Sequence, residues 1–321
     1  MIFRTKSVIA IVAITLFVSS FVFMRYAKKQ NSRAKFTIGI LQTASHPALD
    51  AVREGFIEHA QKSIDKNIAF VVKNAQGSVP AAQAIAHQFH GDKSINAILA
   101  IATPAAQAVN SVEKEKPVII AAVTDPSSLG LGDNVTGVKD MIEVKAAIDM
   151  LQQLLPQAQT IGLLYTNAEA NSVALVKLMR AELESRGLET MDFAVTSEAE
   201  MPAAAERAFA KSDVVLSPTD NSVASSIALI SSIAHKYKKP FIASDNLLVR
   251  YGALAARGID YRENGKQAAQ LAKAILIDGK SPAQLPIEQQ KNDTIYINKN
   301  ELNVLELHVP QALEDTVTIV E

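Results

Sequence analysis

The chain has 321 residues, a formal net charge of −1 and no cysteine. Its length allows two domains, and its near-neutral charge gives no general attraction to nucleic acid or to an anionic membrane. The lack of cysteine excludes disulfides, thiolate nucleophiles, cysteine-held metal sites and an N-terminal lipid attached to cysteine. A hydrophobic content of 48% with 20% charged residues is that of an ordinary globular protein.

Residues 1–35 predict a signal or membrane anchor with a basic flank. Residues 7–24 carry no charge, a length between that of a signal-peptide core and that of a membrane-spanning helix. Because no clear cleavage site follows, we expect an uncleaved anchor in the cytoplasmic membrane rather than a cleaved signal. The basic residues of the flank outnumber those before the segment, and by the positive-inside rule they favour a cytoplasmic main domain. The fold predicted below favours the opposite, a periplasmic or extracytoplasmic main body.

The remainder of the chain contains an internal duplication. IGILQT at 38–43 matches IGLLYT at 161–166, an offset of 123 residues, and each run precedes a segment of helical periodicity. Three further matches keep nearly the same offset and the same order. They are VPAA with MPAA, AILAIATPAAQAV with VVLSPTDNSVASS, and the Lys-Pro pairs before VIIAAVTDP and FIASDN. Four ordered matches indicate two copies of one α/β unit.

Each copy predicts strand, helix, strand, helix, strand, helix, strand. Apolar strands alternating with helices are typical of a parallel sheet covered on both faces. The predicted fold class is therefore α/β, with two similar doubly wound parallel-sheet lobes joined by a hinge. We assign residues 36–138 and about 247–290 to the first lobe, and 139–246 and about 291–321 to the second. Ligands bind outside the carboxyl ends of such strands, so two sets of loops should face one cleft.

The predicted strand ends are polar and contain no Lys or Arg. The candidate ligand-binding residues in the first lobe are Gln42, His46, Thr103, Pro104, Thr124 and Asp125. In the second lobe they are Tyr165, Asn167, Asp220, Asn221 and Asp245. Asn171 and Ser172 are predicted to cap the helix that follows.

The two lobes offer different chemistry. Thr103-Pro104 is a typical helix start, and a helix N-terminus with a hydroxyl also suits a carboxylate. Asp220 and Asp245 at adjacent strand ends would repel each other unless a cation lay between them. This asymmetry favours a zwitterion, such as an amino acid, with Tyr165 stacking on a flat side chain. If so, Asp220→Ala should abolish binding without unfolding the protein.

Structural roles compete with these assignments. Asp220 could serve only as a helix cap, Asp125 as a turn former and Tyr165 as a half-buried strand-end residue. We find no base–nucleophile pair, no glycine-rich phosphate loop and no nucleophile elbow, so neither an enzyme nor a cofactor or metal site is predicted. A second functional hypothesis is a ligand-sensing module for a separate signalling partner.

Several of these motifs also carry a family resemblance. FTIGILQTASHPALDAVREGF, IATPAAQAV, VTDPSSLGLGDNVTGV, PTDNSVASS and YGALAARGIDYRENGKQAA resemble the ABC-transporter substrate-binding proteins of tryptophan/tyrosine-type uptake, which have the type I periplasmic-binding fold. The resemblance runs in one register from about residue 36 to about residue 310. The chain departs from the family pattern in lacking a lipobox cysteine and in carrying Ser127-Ser128, where a valine and a small residue are more usual.

The resemblance implies a three-strand hinge, closure on an amino acid and docking on an ABC permease in the membrane. It also implies ligand contacts at Thr103, Thr124, Asp125, Tyr165, Asn167, Asp220, Asn221 and Asp245.

Overall fold

The computed structural model describes residues 35–290 and 294–321, which form two α/β lobes. The strands are β1 (Thr37–Gln42), β2 (Ala69–Asn74), β3 (Ala97–Ile101), β4 (Val118–Val123), β5 (Val135–Lys139), β6 (Thr160–Thr166), β7 (Glu189–Val195), β8 (Val214–Leu216), β9 (Phe241–Asp245), β10 (Ala255–Ile259), β11 (Glu288–Gln289), β12 (Ile295–Asn298) and β13 (Val317–Val320). The helices are α1 (Pro47–Ser63), α2 (Val79–Gly91), α3 (Thr103–Val112), α4 (Val144–Leu154), α5 (Ala170–Ser185), α6 (Met201–Lys211), α7 (Asn221–Ser225), α8 (Ile227–Tyr237), α9 (Asn246–Arg250), α10 (Tyr261–Leu276) and α11 (Lys299–Val304).

The sheet topology repeats between the lobes. The first sheet has the order β11-β5-β4-β3-β1-β2, and the second has β13-β12-β10-β9-β8-β6-β7. The order β2-β1-β3-β4-β5 therefore recurs as β7-β6-β8-β9-β10, which is the duplication expected from the sequence. Strands pair in parallel except for β10 with β12, which are antiparallel. The predicted fold class of two doubly wound parallel-sheet lobes is confirmed, with this one antiparallel pair added.

The chain passes between the lobes after β5 and after β10, and strands β11 and β12 again belong to different lobes. The second passage differs from the sequence-based boundary near residue 247. Strand β10 extends the second sheet beside β9, where Ala255 and Ala256 are fully buried. The chain therefore returns to the first lobe only near residue 260, because β10 completes the second sheet before α10 packs on α1.

The contact between α10 and α1 fixes the returning segment against the first lobe. A Cβ at Gly265 would lie 2.0 Å from the backbone oxygen of Val52, and a Cβ at Gly55 would lie 2.3 Å from that of Arg262. Two glycines thus let the helix backbones touch. Since α10 starts at Tyr261, this contact also sets the position of that side chain at the edge of the cleft.

The predicted N-terminal signal or anchor lies outside the described residues. In the part that the structure describes, no helix has both the length and the apolar character needed to cross a membrane.

Candidate ligand-binding site between the lobes

A cavity lies between the lobes at the carboxyl ends of the strands of both sheets. Its empty space is about 380 Å³ with open solvent included, but the centres of water-sized spheres fit into only about 20 Å³ of it. Thr103, Asp220 and Asp245 line it, and each is no more than 5% exposed. A ligand could reach these side chains only if the lobes moved apart, so this arrangement is a closed one.

The first lobe contributes hydroxyl groups and a helix start. Ala102 and Ala122, which line the cavity beside the ends of β3 and β4, have φ values of 74° and 55°. Such a conformation is unfavourable for a residue with a Cβ and is often found at ligand sites. The turn at Ala102 places Thr103 at the start of α3, where its buried hydroxyl has no hydrogen-bond partner among the described residues. This hydroxyl and the helix start form a position suited to a carboxylate.

Asp220 acts as a helix cap in the second lobe. Its carboxylate accepts hydrogen bonds from Thr166 N at 2.6 Å, Ser172 Oγ at 2.7 Å and Val223 N at 2.9 Å. Burial, reinforced by the charge of Glu169, raises the pKa of Asp220 to about 7. The carboxylate lines the cavity, but three internal donors already hold it. The capping role considered from the sequence is therefore present together with a place in the cavity wall.

Asp245 accepts fewer hydrogen bonds than Asp220 does. It caps α9 by accepting from Leu247 N at 2.7 Å and also lines the cavity. Burial, with a smaller effect from the charge of Asp140, raises the pKa of Asp245 to about 7. A buried carboxylate of this kind gains from a nearby cation, because the cation offsets the lost hydration.

Asp140 and Tyr261 also line the cavity, and the sequence analysis missed both. The Tyr261 hydroxyl donates to Asp140 Oδ2 at 2.9 Å, and the Thr124 hydroxyl donates to Asp140 Oδ1 at 2.9 Å. Burial raises the pKa of Asp140. Asp140 directly follows β5, and Tyr261 lies two residues after the end of β10, each at a passage between the lobes. The strand-end rule that located the other candidates would have located these as well, had it been applied to β5 and β10.

Glu169 was also missed, and it supports a contact between the lobes. Its Oε2 accepts from Asn171 Nδ2 at 3.2 Å and from Asn221 N at 3.3 Å, as well as from Asn221 Nδ2. Asn221 Oδ1 lies 3.1 Å from His46 Nε2 of the first lobe. Burial raises the pKa of Glu169 and lowers that of His46. Helix α5 begins at Ala170 rather than at the predicted Asn171-Ser172 cap.

Gln42 and Pro104 do not line the cavity, yet they shape it. Gln42 Nε2 donates to Ala44 O at 2.7 Å and to Asp50 Oδ1 at 2.8 Å, while its Oε1 accepts from Arg53 at 2.7 Å. These bonds fix the loop that carries His46. Pro104 lies in the first turn of α3, where its missing N–H costs nothing.

Asp125, Tyr165 and Asn167 do not line this cavity. Asp125 accepts from Ser127 N at 3.2 Å and starts a turn, which is the alternative role considered for it. Tyr165 is half-buried beside Arg180, and Asn167 is exposed. Tyr165 thus does not line the cavity; its ring packs against the apolar core instead. The aromatic ring in the cavity wall belongs to Tyr261.

In the described part of the chain, the carboxyl groups that line the cavity are not matched by lysine or arginine side chains. Among the described residues that line it are Asp140, Asp220 and Asp245, but no Lys or Arg. Residues 35–290 and 294–321 also contain no cluster of three or more His, Asp or Glu able to hold a metal ion. Buried carboxyl groups of this kind would be stabilised in their ionised form by a nearby cation.

Comparison with known proteins places the chain in one family. The family model described as ABC transporter substrate binding protein matches residues 37–319. A tyrosine-binding protein of Clostridioides difficile (strain R20291) is 35% identical over 290 residues, which are 87% of this chain and 84% of the relative.

Two solved structures match this chain to different degrees. A Streptococcus pneumonia ABC domain in complex with L-Trp has a TM-score of 0.85 at 30% identity, covering 90% of this chain and all of that one. A ligand-free, open substrate-binding protein of Clostridium difficile has a TM-score of only 0.67 at 34% identity, covering 89% and 99%. At similar identity, this chain therefore superposes better on the complex with L-Trp than on the protein described as ligand-free and open. The chain has the type I periplasmic-binding fold and belongs to the ABC transporter substrate-binding protein family.

Proposed function

We propose that this protein closes its two lobes on a small zwitterionic amino acid and delivers it to an ABC permease. One observation carries the proposal: the cavity has the Thr103 hydroxyl at a helix start on one side and buried carboxyl groups on the other. Among the residues that the structure describes, that hydroxyl has no hydrogen-bond partner and no Lys or Arg lines the cavity. The ligand carboxylate fits the first wall. The ligand ammonium fits the second wall, with Asp245 as its main partner because Asp220 is already held by three donors.

The apolar residues that line the rest of the cavity favour an amino acid with an aromatic side chain. Leu49, Pro218, Leu248 and Tyr261 line the cavity and supply apolar contacts. An aromatic ring against Tyr261 would add ~0.5–1.5 kcal/mol beyond the area it buries. The names of the relatives agree with this class, since one is a tyrosine-binding protein and another was solved with L-Trp.

The proposed place of action rests on the N-terminal sequence and on the family description. The uncharged residues 7–24 support an anchor in the cytoplasmic membrane, with the lobes on its extracytoplasmic face. The family description supports an ABC permease as the membrane partner. A function in binding rather than catalysis is supported by the relatives, which are binding proteins.

Calorimetric titration of the purified protein with each of the twenty amino acids tests the proposal. We expect one-to-one binding of Tyr, Trp or Phe, and no binding of the N-acetyl derivative, in which the cationic group is lost. A thermal melt provides an independent readout, because ligand at 100 times its Kd adds ~2.7 kcal/mol to the stability. If none of the twenty amino acids bound, the amino-acid assignment would be refuted. Uptake of the labelled ligand by cells with and without the gene then tests delivery to a permease.

A further inference from the structure

The hydrogen bonds around Asn221 have a fixed direction. The Glu169 carboxylate accepts from the backbone N of Asn221 and from its Nδ2, and also from Asn171 Nδ2. A carboxylate oxygen can only accept, so the NH₂ group of the Asn221 side chain must face Glu169. The Asn221 Oδ1 therefore faces away from Glu169. That oxygen lies 3.1 Å from His46 Nε2. An amide oxygen can only accept, so His46 Nε2 carries the proton and donates it.

Because Nε2 carries the proton, the hydrogen-bonding role of the other imidazole nitrogen, Nδ1, depends on the charge of the ring. Burial lowers the pKa of His46, so the ring is neutral at neutral pH and its Nδ1 is an acceptor. Nδ1 is buried and finds no hydrogen-bond partner among the described residues. His46 is only 6% exposed and lines the cavity. A buried acceptor without a partner is costly, and the bound ligand is what can supply one.

We propose that His46 joins ligand recognition to lobe closure, with Nε2–H donating to Asn221 of the second lobe and Nδ1 accepting from an N–H or O–H group of the bound amino acid. Glu169 is the positioning residue that sets the direction of the Asn221 amide. The inference deepens the proposed function and rests on it. A ligand donor at Nδ1 selects the tautomer with the proton on Nε2, and only that tautomer closes the contact with Asn221.

Two substitutions test the roles of the two imidazole nitrogens separately. The amide of His46→Gln can reach the place of Nε2 and donate to Asn221, but it offers no acceptor at the place of Nδ1. The amide oxygen of His46→Asn lies near the place of Nδ1 but cannot reach Asn221. Calorimetry measures affinity for L-tyrosine, L-tryptophan and L-phenylalanine. Closure is measured by energy transfer between dyes at Val79→Cys and Val173→Cys, exposed positions on opposite lobes of a chain without other cysteines.

For His46→Gln we expect an unchanged ligand-free closed fraction and a Kd about tenfold higher, the loss of one hydrogen bond. For His46→Asn we expect a lower closed fraction of the ligand-free protein. The Kd should rise by the same factor and no more, because only the closed state holds the ligand. Glu169→Gln should lower the closed fraction in the same way, because the Asn221 amide can then turn over.

A His46→Gln variant with wild-type affinity would overturn the contact at Nδ1. Wild-type closure in both His46→Asn and Glu169→Gln would overturn the contact with Asn221. If the wild-type protein bound none of the three amino acids, the proposed function and the Nδ1 contact would fail together. The ligand-free closed fractions would still decide the Asn221 contact by themselves.

Discussion

Burial of Asp245 should make the equilibrium between open and closed lobes depend on pH. In the closed arrangement Asp245 is 5% exposed, and its pKa is raised to about 7, first by burial and then by the charge of Asp140. In separated lobes the carboxyl meets water, and its pKa should return toward the ordinary value of 3.8. The closed state therefore binds the extra proton between these two values. Its advantage from Asp245 is present at low pH and is lost as the pH rises through about 7.

The size of the effect follows from this shift. Between about pH 5.5 and 7.5 the proton-binding difference of one such group moves the equilibrium toward the open state by about 25-fold, or about 2 kcal/mol. His46 acts in the opposite direction, since burial lowers its pKa. The share of Asp245 must therefore be obtained by difference between two proteins that both contain His46.

Asp245→Asn is the variant for that comparison, because Asn also caps helices well and keeps the volume. The open and closed fractions of ligand-free protein would be measured at both pH values by energy transfer between the labelled positions on the two lobes. We expect the pH-induced opening of the wild type to exceed that of Asp245→Asn by about 25-fold. Asp245→Asn should also be more closed at pH 7.5. If both proteins opened equally between the two pH values, the reasoning about Asp245 would be refuted.

Three further predictions concern the cavity walls and the core. Thr103→Val should weaken amino-acid binding about tenfold in calorimetry, with an unchanged melting temperature because the hydroxyl has no partner in residues 35–290 and 294–321; a wild-type Kd would contradict the carboxylate position. Asp220→Ala should lower the free energy of unfolding in urea by roughly 1–3 kcal/mol, since it removes a cap and leaves Thr166 N unpaired; wild-type stability would contradict the capping role. Gly265→Ala should cost about 1–3 kcal/mol through the contact with Val52, whereas Gly91→Ala, with nothing within 4 Å of the new Cβ, should not.

The prediction for Asp220→Ala differs from the expectation drawn from the sequence. The strand-end pattern placed Asp220 in the cleft and suggested that its loss would remove binding without unfolding. In the structure it accepts from Thr166 N and Ser172 Oγ, on segments some fifty residues earlier in the chain. Such distant donors cannot be identified from the local pattern around residue 220.

The fold was largely predictable, because the duplicated strands and helices carry their periodicity locally. The position of the second passage between lobes was not, since the assignment of β10 depends on pairing with β9 and β12 rather than on its own residues. Within the site, the strand-end rule found Thr103, Thr124 and Asp245, which line the cavity. The same rule selected Tyr165, which does not line the cavity, because position at a strand end does not determine where a side chain points.

The cavity offers a physical reason for closure that depends on ligand. The rise in the pKa of Asp245 from 3.8 to about 7 corresponds to about 4 kcal/mol against closing on an ionised carboxylate. Moving a two-state equilibrium from 1:99 to 99:1 takes ~5.5 kcal/mol. A ligand ammonium that offsets the burial of this one group would thus supply most of the difference. A neutral ligand of the same shape would leave the cost in place, because a ligand shifts an equilibrium only by its differential affinity for the two states. Selection for the ammonium group and closure of the lobes are, on this reasoning, consequences of the same buried carboxylate.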